Sequence, residues 1–412
     1  MNYISTRGNH SDGIVSIRTM STILRPAFSQ ALDSKYISHV TVEERSDDDS
    51  DSFNQKTQSS LLIINLKDPL KLIHSHPIPE LKSHDILVRN RAVGINPIDW
   101  KGKRYGFGIY HFPWINGRES SGDIVQKGYS VGGEFDIGDK VIISSTSYRD
   151  NRTSTFQEFT AIDSRLVWKL PTSFSYEDGA TIGVGLVTAG VILYQSFGFD
   201  LVTLPKATAT PKSILIWGGA TVVGIFITQL AKLHGLQVIS VADSKNEAYL
   251  KNLGAHHVID RYLDTDRIIE YATKIAKTTN GIQYGVDCIS EETSRLVIKI
   301  LEESVKGNFN DGANISKELN TQNSTIPLFA GIVGVPKVNS HSVDIRPVVV
   351  KTFHEDLSFG KKYVDITSQH FENNKLKPVR FKQYKGGIHK IENALKDLEV
   401  LGAKGEKYVV SL

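Results

Sequence analysis

Cysteine is almost missing from this chain. The single Cys288 excludes an internal disulfide, every multi-cysteine zinc site and an intramolecular redox pair, and such usage fits a reducing compartment. An excess of one charge is missing too: 48 basic against 45 acidic residues leave a formal net charge of +3, so no global field draws the chain to nucleic acid, an anionic membrane or a highly acidic substrate. No uninterrupted apolar run approaches the roughly 18 to 20 residues that cross a bilayer, and Met1 to Gln30 lacks a basic region followed by a hydrophobic block. The expectation is a cytoplasmic protein with no membrane and no nucleic-acid partner. Arg7, Arg18 and Arg25 among Ser and Thr make a mitochondrial presequence the minor alternative, interrupted by Asp12 and Asp33. What is present, 40% hydrophobic residues over 412 positions, suffices for two domains plus additions.

The acidic block EERSDDDSD (Glu43 to Asp51) and the polar run to Ser60 bury too little apolar surface to offset ordering entropy, so residues 1–59 are expected to be a disordered extension. From Leu61 short β-type runs with Gly and Pro turns, such as Asp85 to Arg89 and Lys140 to Ile143, suggest a β-rich, barrel-like domain over 60–175. Beyond Pro171 strands and helices alternate: a helix from about Tyr176 through Tyr194, then strands at Ile214–Trp217, Val238–Ala242, Val258–Ile259, Val286–Ile289 and Leu328–Ala330. Alternation of this kind builds an α/β doubly wound parallel sheet, here over 176–349. The polar stretch Glu303 to Thr325 reads as a long surface loop. Mixed elements follow over 350–412, with helices at about Lys361–Phe371 and around Ile388–Leu398 and a closing strand Tyr408–Leu412.

The strongest chemical signal is ILIWGGATVVG, Ile214 to Gly224. A buried strand turns sharply into a helix there, and Gly218 and Gly219 supply the backbone freedom while leaving room for an anion at the helix N-terminus. As a dinucleotide fingerprint the frame is Gly219-Ala220-Thr221-Val222-Val223-Gly224, with Thr221 in place of the middle glycine; a purely structural turn is the other reading. After the second strand stand Asp243, Ser244 and Lys245. An acid there accepts hydrogen bonds from a ribose diol, whereas a cation neutralises a 2′-phosphate. Arg261, just after the third strand, adds a second cation at the same edge, so NADPH is favoured over NADH, the alternative being that both cations are ordinary solvated charges.

Taken in order, PIPEL (Pro77 to Leu81), NPIDWK (Asn96 to Lys101), Gly117-Arg118-Glu119, LVTAG (Leu186 to Gly190), GGATVVG, VDCIS (Val286 to Ser290) and GEKYVV (Gly405 to Val410) give the chain its resemblance to a family. It resembles a zinc-free medium-chain dehydrogenase/reductase of the quinone oxidoreductase and fungal trans-enoyl reductase-like branch. The resemblance, over about 61–412, implies a GroES-like β-rich catalytic domain completed by the C-terminal return, a Rossmann domain, and a homodimer. Metal-dependent relatives carry a cysteine near Asn96–Asp99 and a histidine in Gly-His-Glu. Here those stand as NPID and Gly-Arg-Glu, so no metal is expected.

The activity so implied is NADPH-dependent, zinc-independent reduction of an activated C=C bond or a quinone. Two alternatives are carried: a cofactor-binding sensor or structural relative with little turnover, and a carbonyl or alcohol oxidoreductase. The resemblance places Asn96, Asp99, Trp100 and Lys101 beside the cleft for nicotinamide and small-molecule substrate, with Lys101 polarising the substrate carbonyl and Asn96 positioning. Tyr105 and Tyr110 bracket the position of a proton-donating tyrosine in some relatives. Thr188 matches a threonine set against the nicotinamide carboxamide, and Ile332, in Gly331-Ile332-Val333, lies where this fold offers backbone to the ring. Cys288 reads as core rather than nucleophile.

Overall fold

Alternating apolar residues and turn-forming Gly and Pro give the first half of the chain its antiparallel strands, and these are present in the computed structural model. It describes residues 54–412 apart from 146–148, 206–210, 280, 307–325 and 338–339. The N-terminal strands are β1 (Thr57–Ile63), β2 (Lys71–Pro77), β3 (Asp85–Ile95), β4 (Trp114–Ile115), β5 (Glu119–Lys127), β6 (Lys140–Ser144), β7 (Phe159–Asp163) and β8 (Trp168–Lys169). The Rossmann strands are β9 (Ser213–Trp217), β10 (Gln237–Ala242), β11 (His257–Asp260), β12 (Tyr284–Asp287), β13 (Leu328–Gly331) and β14 (Asp344–Ile345). Two C-terminal strands, β15 (Phe381–Lys385) and β16 (Lys407–Ser411), join the first group: β16 pairs antiparallel with β3 and parallel with β15. The result is a small sheet β2-β1-β4, a larger sheet β15-β16-β3-β5-β6-β8 with β7 on β3, and a parallel sheet β11-β10-β9-β12-β13-β14. This is a GroES-like domain beside a Rossmann domain.

The parallel sheet is covered on both faces, so its strands are apolar on both faces. Ile214 and Ile216 face one core with Phe226 and Leu230, while Leu215 and Trp217 face the other with Ile239 and Ile269. Each such buried side chain contributes about 1.5–3 kcal/mol.

Three expectations need correcting. The polar run expected to be disordered to residue 59 enters β1 at Thr57, because Gln58 is buried with partners for its amide. It donates to Pro77 O and Gln157 Oε1 and accepts from Phe159 N. Residues 1–53 lie outside the described residues. The single helix expected over Tyr176–Tyr194 is broken into α2 (Tyr176–Gly179), α3 (Gly183–Gly190) and a π-turn Val191–Ser196. Thr181 N bonds back to Asp178 O and α3 starts afresh, for a reason that lies in the site described below. By length and composition the 21 residues Tyr176–Ser196 would cross a bilayer, yet 89% of the apolar window is buried inside the protein. Finally, the helix Glu291–Lys306 takes in Glu303 to Lys306, expected as loop; the rest of that stretch, 307–325, lies outside the described residues.

Candidate active site

The glycine turn after β9 is built by backbone bonding. The amides of Gly218 and Gly219 both donate to Val241 O of β10, at 3.0 and 3.1 Å, which ties the turn to the neighbouring strand. Gly218 has φ of 83°, a conformation L side chains rarely adopt. The helix α4 (Val222–Leu233) then starts with Thr221 as its N-cap: Thr221 Oγ1 accepts the Gly224 amide at 3.0 Å and Thr221 O the Ile225 amide at 2.8 Å. The threonine that breaks the glycine pattern is therefore a helix cap. The amides of Val222 and Val223 are left as the donors this helix end presents to an anion, beside Ala220 in the turn.

At the next strand end Ser244, Lys245 and Asn246 form a 3-10 turn, capped by Asp243 Oδ1 accepting the Lys245 amide at 3.0 Å. The Arg261 amide donates to Ala242 O, 2.9 Å, so the turn and Arg261 share one edge. Ser244, Lys245 and Arg261 are exposed, and among the described residues neither cation has an ion-pair partner. The Arg261 guanidinium lies 4.5 Å from the Tyr262 ring centroid.

The second half of the site is a buried polar cluster between the two domains. Lys407 of β16 is 2% exposed and pairs with Glu119 of β5, 0% exposed; its Nζ also donates to Asn96 Oδ1 at 2.7 Å. Asn96 Nδ2 donates to Glu119 Oε1, 2.7 Å, and the other carboxylate oxygen accepts the Val184 amide, 2.9 Å. That last bond explains the broken helix: α3 begins where a carboxylate can take a first-turn amide. Gly185, one residue on, lets α3 press against Val222 and Phe226 of α4; a Cβ there would meet Val222. One network thus links Asn96, β5, β16 and α3, and the packing of α3 on α4 connects it to the glycine turn.

Asn96 is also the N-cap of helix α1 (Pro97–Tyr105), whose Asp99 carboxylate accepts the Asn96 amide at 2.8 Å. Burial pushes the Asp99 carboxyl up to about 6, against the pull of nearby Arg118. Asn116 Nδ2 donates to Asp99 O, 2.9 Å, holding the next segment to the helix. Lys101 is half-buried, its Nζ 5.6 Å from the Trp100 ring centroid, and partial desolvation lowers its pKa. No carboxylate among the described residues pairs with it. Tyr105 and Tyr110 are 49% and 55% exposed, and neither hydroxyl has a protein hydrogen bond among the described residues.

Thr188 Oγ1 donates to Val184 O at 2.7 Å, the back-bond of a helix hydroxyl, leaving its oxygen as an acceptor in the α3 segment. The Ile332 amide is committed to Asp287 O, 3.0 Å, so in this arrangement it is not offered to a ring. Cys288 follows β12 rather than lying in it; burial pushes its thiol up to about 12, against catalysis as a thiolate. Two residues of the network, Glu119 and Lys407, were not among the expected site residues. Both lie inside quoted motifs, GRE and GEKYVV, whose pairing only the fold brings about.

Comparison with known proteins identifies the family. Residues 82–172 match the alcohol dehydrogenase GroES-like domain and residues 222–309 the zinc-binding dehydrogenase family. The chain is 31% identical over 382 residues to the uncharacterized protein YNL134C of Saccharomyces cerevisiae, covering 87% of this chain and 98% of the relative. It is 31% identical over 343 residues to the trans-enoyl reductase ACTTS2 of Alternaria alternata, covering 82% and 94%. Among solved structures, the mycobacterial protein Rv1454c complexed with NADPH superposes with TM-score 0.65 at 19% sequence identity, over 86% of this chain and 100% of that one. The chain belongs to the medium-chain dehydrogenase/reductase family. Within it, the protein is an NAD(P)H-dependent oxidoreductase similar to the fungal trans-enoyl reductases.

Proposed function

We propose that the protein reduces a C=C bond conjugated to a carbonyl, or a quinone, with NADPH as hydride donor and without zinc. The observation that carries this reading is Lys101: a partly desolvated ammonium without a carboxylate partner among the described residues, on a helix whose N-cap Asn96 is clamped through Glu119 to α3. An ammonium so placed donates to a substrate carbonyl oxygen as negative charge develops there. When bound, the dihydronicotinamide supplies a hydride to the β-carbon; the α-carbon then takes a proton from water or from a side chain such as Tyr105 or Tyr110.

The chain's residues fit the dinucleotide. The α4 N-terminus offers Val222 and Val223 amides to the pyrophosphate, and Lys245 and Arg261 form an exposed cationic edge for a 2′-phosphate. Asp243 stands at the same edge with one carboxylate oxygen accepting the Lys245 amide of its own turn, and its other oxygen is the group that a ribose diol would use. They do not fit zinc. Around Glu119 the groups are the Asn96 amide and the Lys407 ammonium, with the Arg118 guanidinium next in sequence, and cations are no metal ligands.

The test is NADPH oxidation by metal-stripped protein with an enone and a quinone panel, comparing Lys101→Ala. We expect kcat to fall by about 10²-fold with the NADPH Kd unchanged, in the range of a lost oxyanion donor. Unchanged kcat removes Lys101 from the chemistry, and tight NADPH binding with no turnover favours a sensor.

A further inference from the structure

From the last residue of α1 onward, the chain does something unusual for a surface. The segment YGFGIYHF, Tyr105 to Phe112, carries four aromatic rings that are about half exposed: Tyr105 49%, Phe107 56%, Tyr110 55% and Phe112 47%. It contains no acid. Scattered exposed apolar residues need no explanation, but four exposed rings within eight consecutive residues mark a candidate binding surface.

The loop is held rather than loose. The Tyr110 ring lies 5.9 Å from Trp114, tilted by 57°, Trp114 Nε1 donates to Asn116 Oδ1 at 3.2 Å, and Asn116 bonds back to Asp99 O of α1. At its other end the rings form a ladder from the candidate catalytic ammonium: Lys101 Nζ lies 5.6 Å from the Trp100 centroid, and Trp100 lies 6.4 Å from Tyr105. The rim is cationic, with the Arg149 guanidinium 5.6 Å from Tyr110.

We propose that the aromatic loop Tyr105–Phe112 is an acceptor-recognition surface that holds a flat conjugated or aromatic tail on the enone whose carbonyl Lys101 polarises. The inference rests on the reductase reading above and adds the substrate class. Aromatic faces reward planar π-systems beyond simple area burial, so the surface distinguishes a flat tail from a puckered saturated tail of the same size. The position at the end of α1, continuous with Lys101, selects a substrate tail over a protein partner as the occupant.

The experiment uses the full chain with NADPH and two acceptors, trans-4-phenylbut-3-en-2-one and its 4-cyclohexyl counterpart. Wild type is expected to favour the phenyl enone in kcat/KM by about tenfold, the scale of an aromatic contact. Phe107→Ser with Tyr110→Ser should bring the ratio near one, while Tyr110→Phe, which keeps the ring and removes the hydroxyl, should retain it. A ratio near one in wild type, or one unmoved in the double variant, overturns the proposal. Should neither enone be reduced, the reductase reading fails separately, and recognition is read from tryptophan quenching by 4-phenylbutan-2-one against 4-cyclohexylbutan-2-one. Equal affinities then overturn it. A double variant that changes oligomeric mass in sedimentation while keeping the ligand ratio assigns the patch to a contact between copies instead.

Discussion

Two cationic groups in this protein sit in opposite surroundings. Lys407 is buried, with its ammonium shared between Glu119 and Asn96, whereas Lys245 and Arg261 are exposed at a strand edge without ion-pair partners among the described residues. A buried charge is tolerable only when its partners are fixed, so the Lys407 cluster determines where α1, α3 and β16 stand relative to one another. An exposed charge stabilises little by itself and is available to a ligand. One set shapes the protein; the other is the set to which the proposed function gives the choice of cofactor.

The largest effect should come from unpairing the buried set. Lys407→Met leaves Glu119 buried without its counter-charge and should cost about 3–5 kcal/mol in denaturant unfolding. Adding Glu119→Gln should recover part of that loss; a single variant as stable as wild type would mean the cluster is not dry. At the exposed edge, Lys245→Ala with Arg261→Ala should leave stability within about 0.5 kcal/mol. The same pair should weaken NADPH by on the order of 10²-fold, the scale of lost charge-assisted hydrogen bonds, and NADH hardly at all. Equal weakening of both cofactors in a titration would remove the distinction between the two regions.

A smaller effect concerns Asp99, whose carboxyl is raised to about 6 by burial against an unfolded value near ~3.9. Between those values the native state holds more protons than the unfolded chain, so this group makes stability fall as pH rises from about 4 to about 6. The slope from this group is at most about 1.4 kcal/mol per pH unit. Asp99→Asn should flatten that interval in urea titrations at stepped pH, and an unchanged slope would show that Asp99 does not titrate there.

Legibility followed sequence distance. The strand Ile214–Trp217, the glycine turn and the periodic helix after it are local, and were readable from spacing. Asn96 and Lys101 were readable only as parts of a motif. Glu119 with Lys407 was not, since their bond joins residues 288 positions apart and no local pattern announces it. The strand Phe381–Lys385 was missed for another reason: it is an edge strand whose FKQYK sequence leaves no residue buried, so it shows no apolar alternation. The expected long helix over Tyr176–Tyr194 failed because its apolar composition suited a continuous helix, while Glu119, distant in sequence, holds the Val184 amide at the start of α3.

Thr221 tests the boundary between local and distant causes at the smallest scale. Its hydroxyl caps α4 through the Gly224 amide, a local role that the sequence pattern presented only as a missing glycine. If capping is its whole contribution, Thr221→Ala should cost about 1 kcal/mol and Thr221→Gly only a few tenths, because glycine is tolerated at an N-cap and alanine is not. Both variants should then bind NADPH with nearly the wild-type Kd. If instead the side chain narrows the space at the α4 N-terminus, Thr221→Gly should bind NADPH more tightly than wild type while Thr221→Ala falls between. The order of the two variants in one stability and one binding measurement therefore separates a residue that serves the fold from one that shapes the cofactor seat.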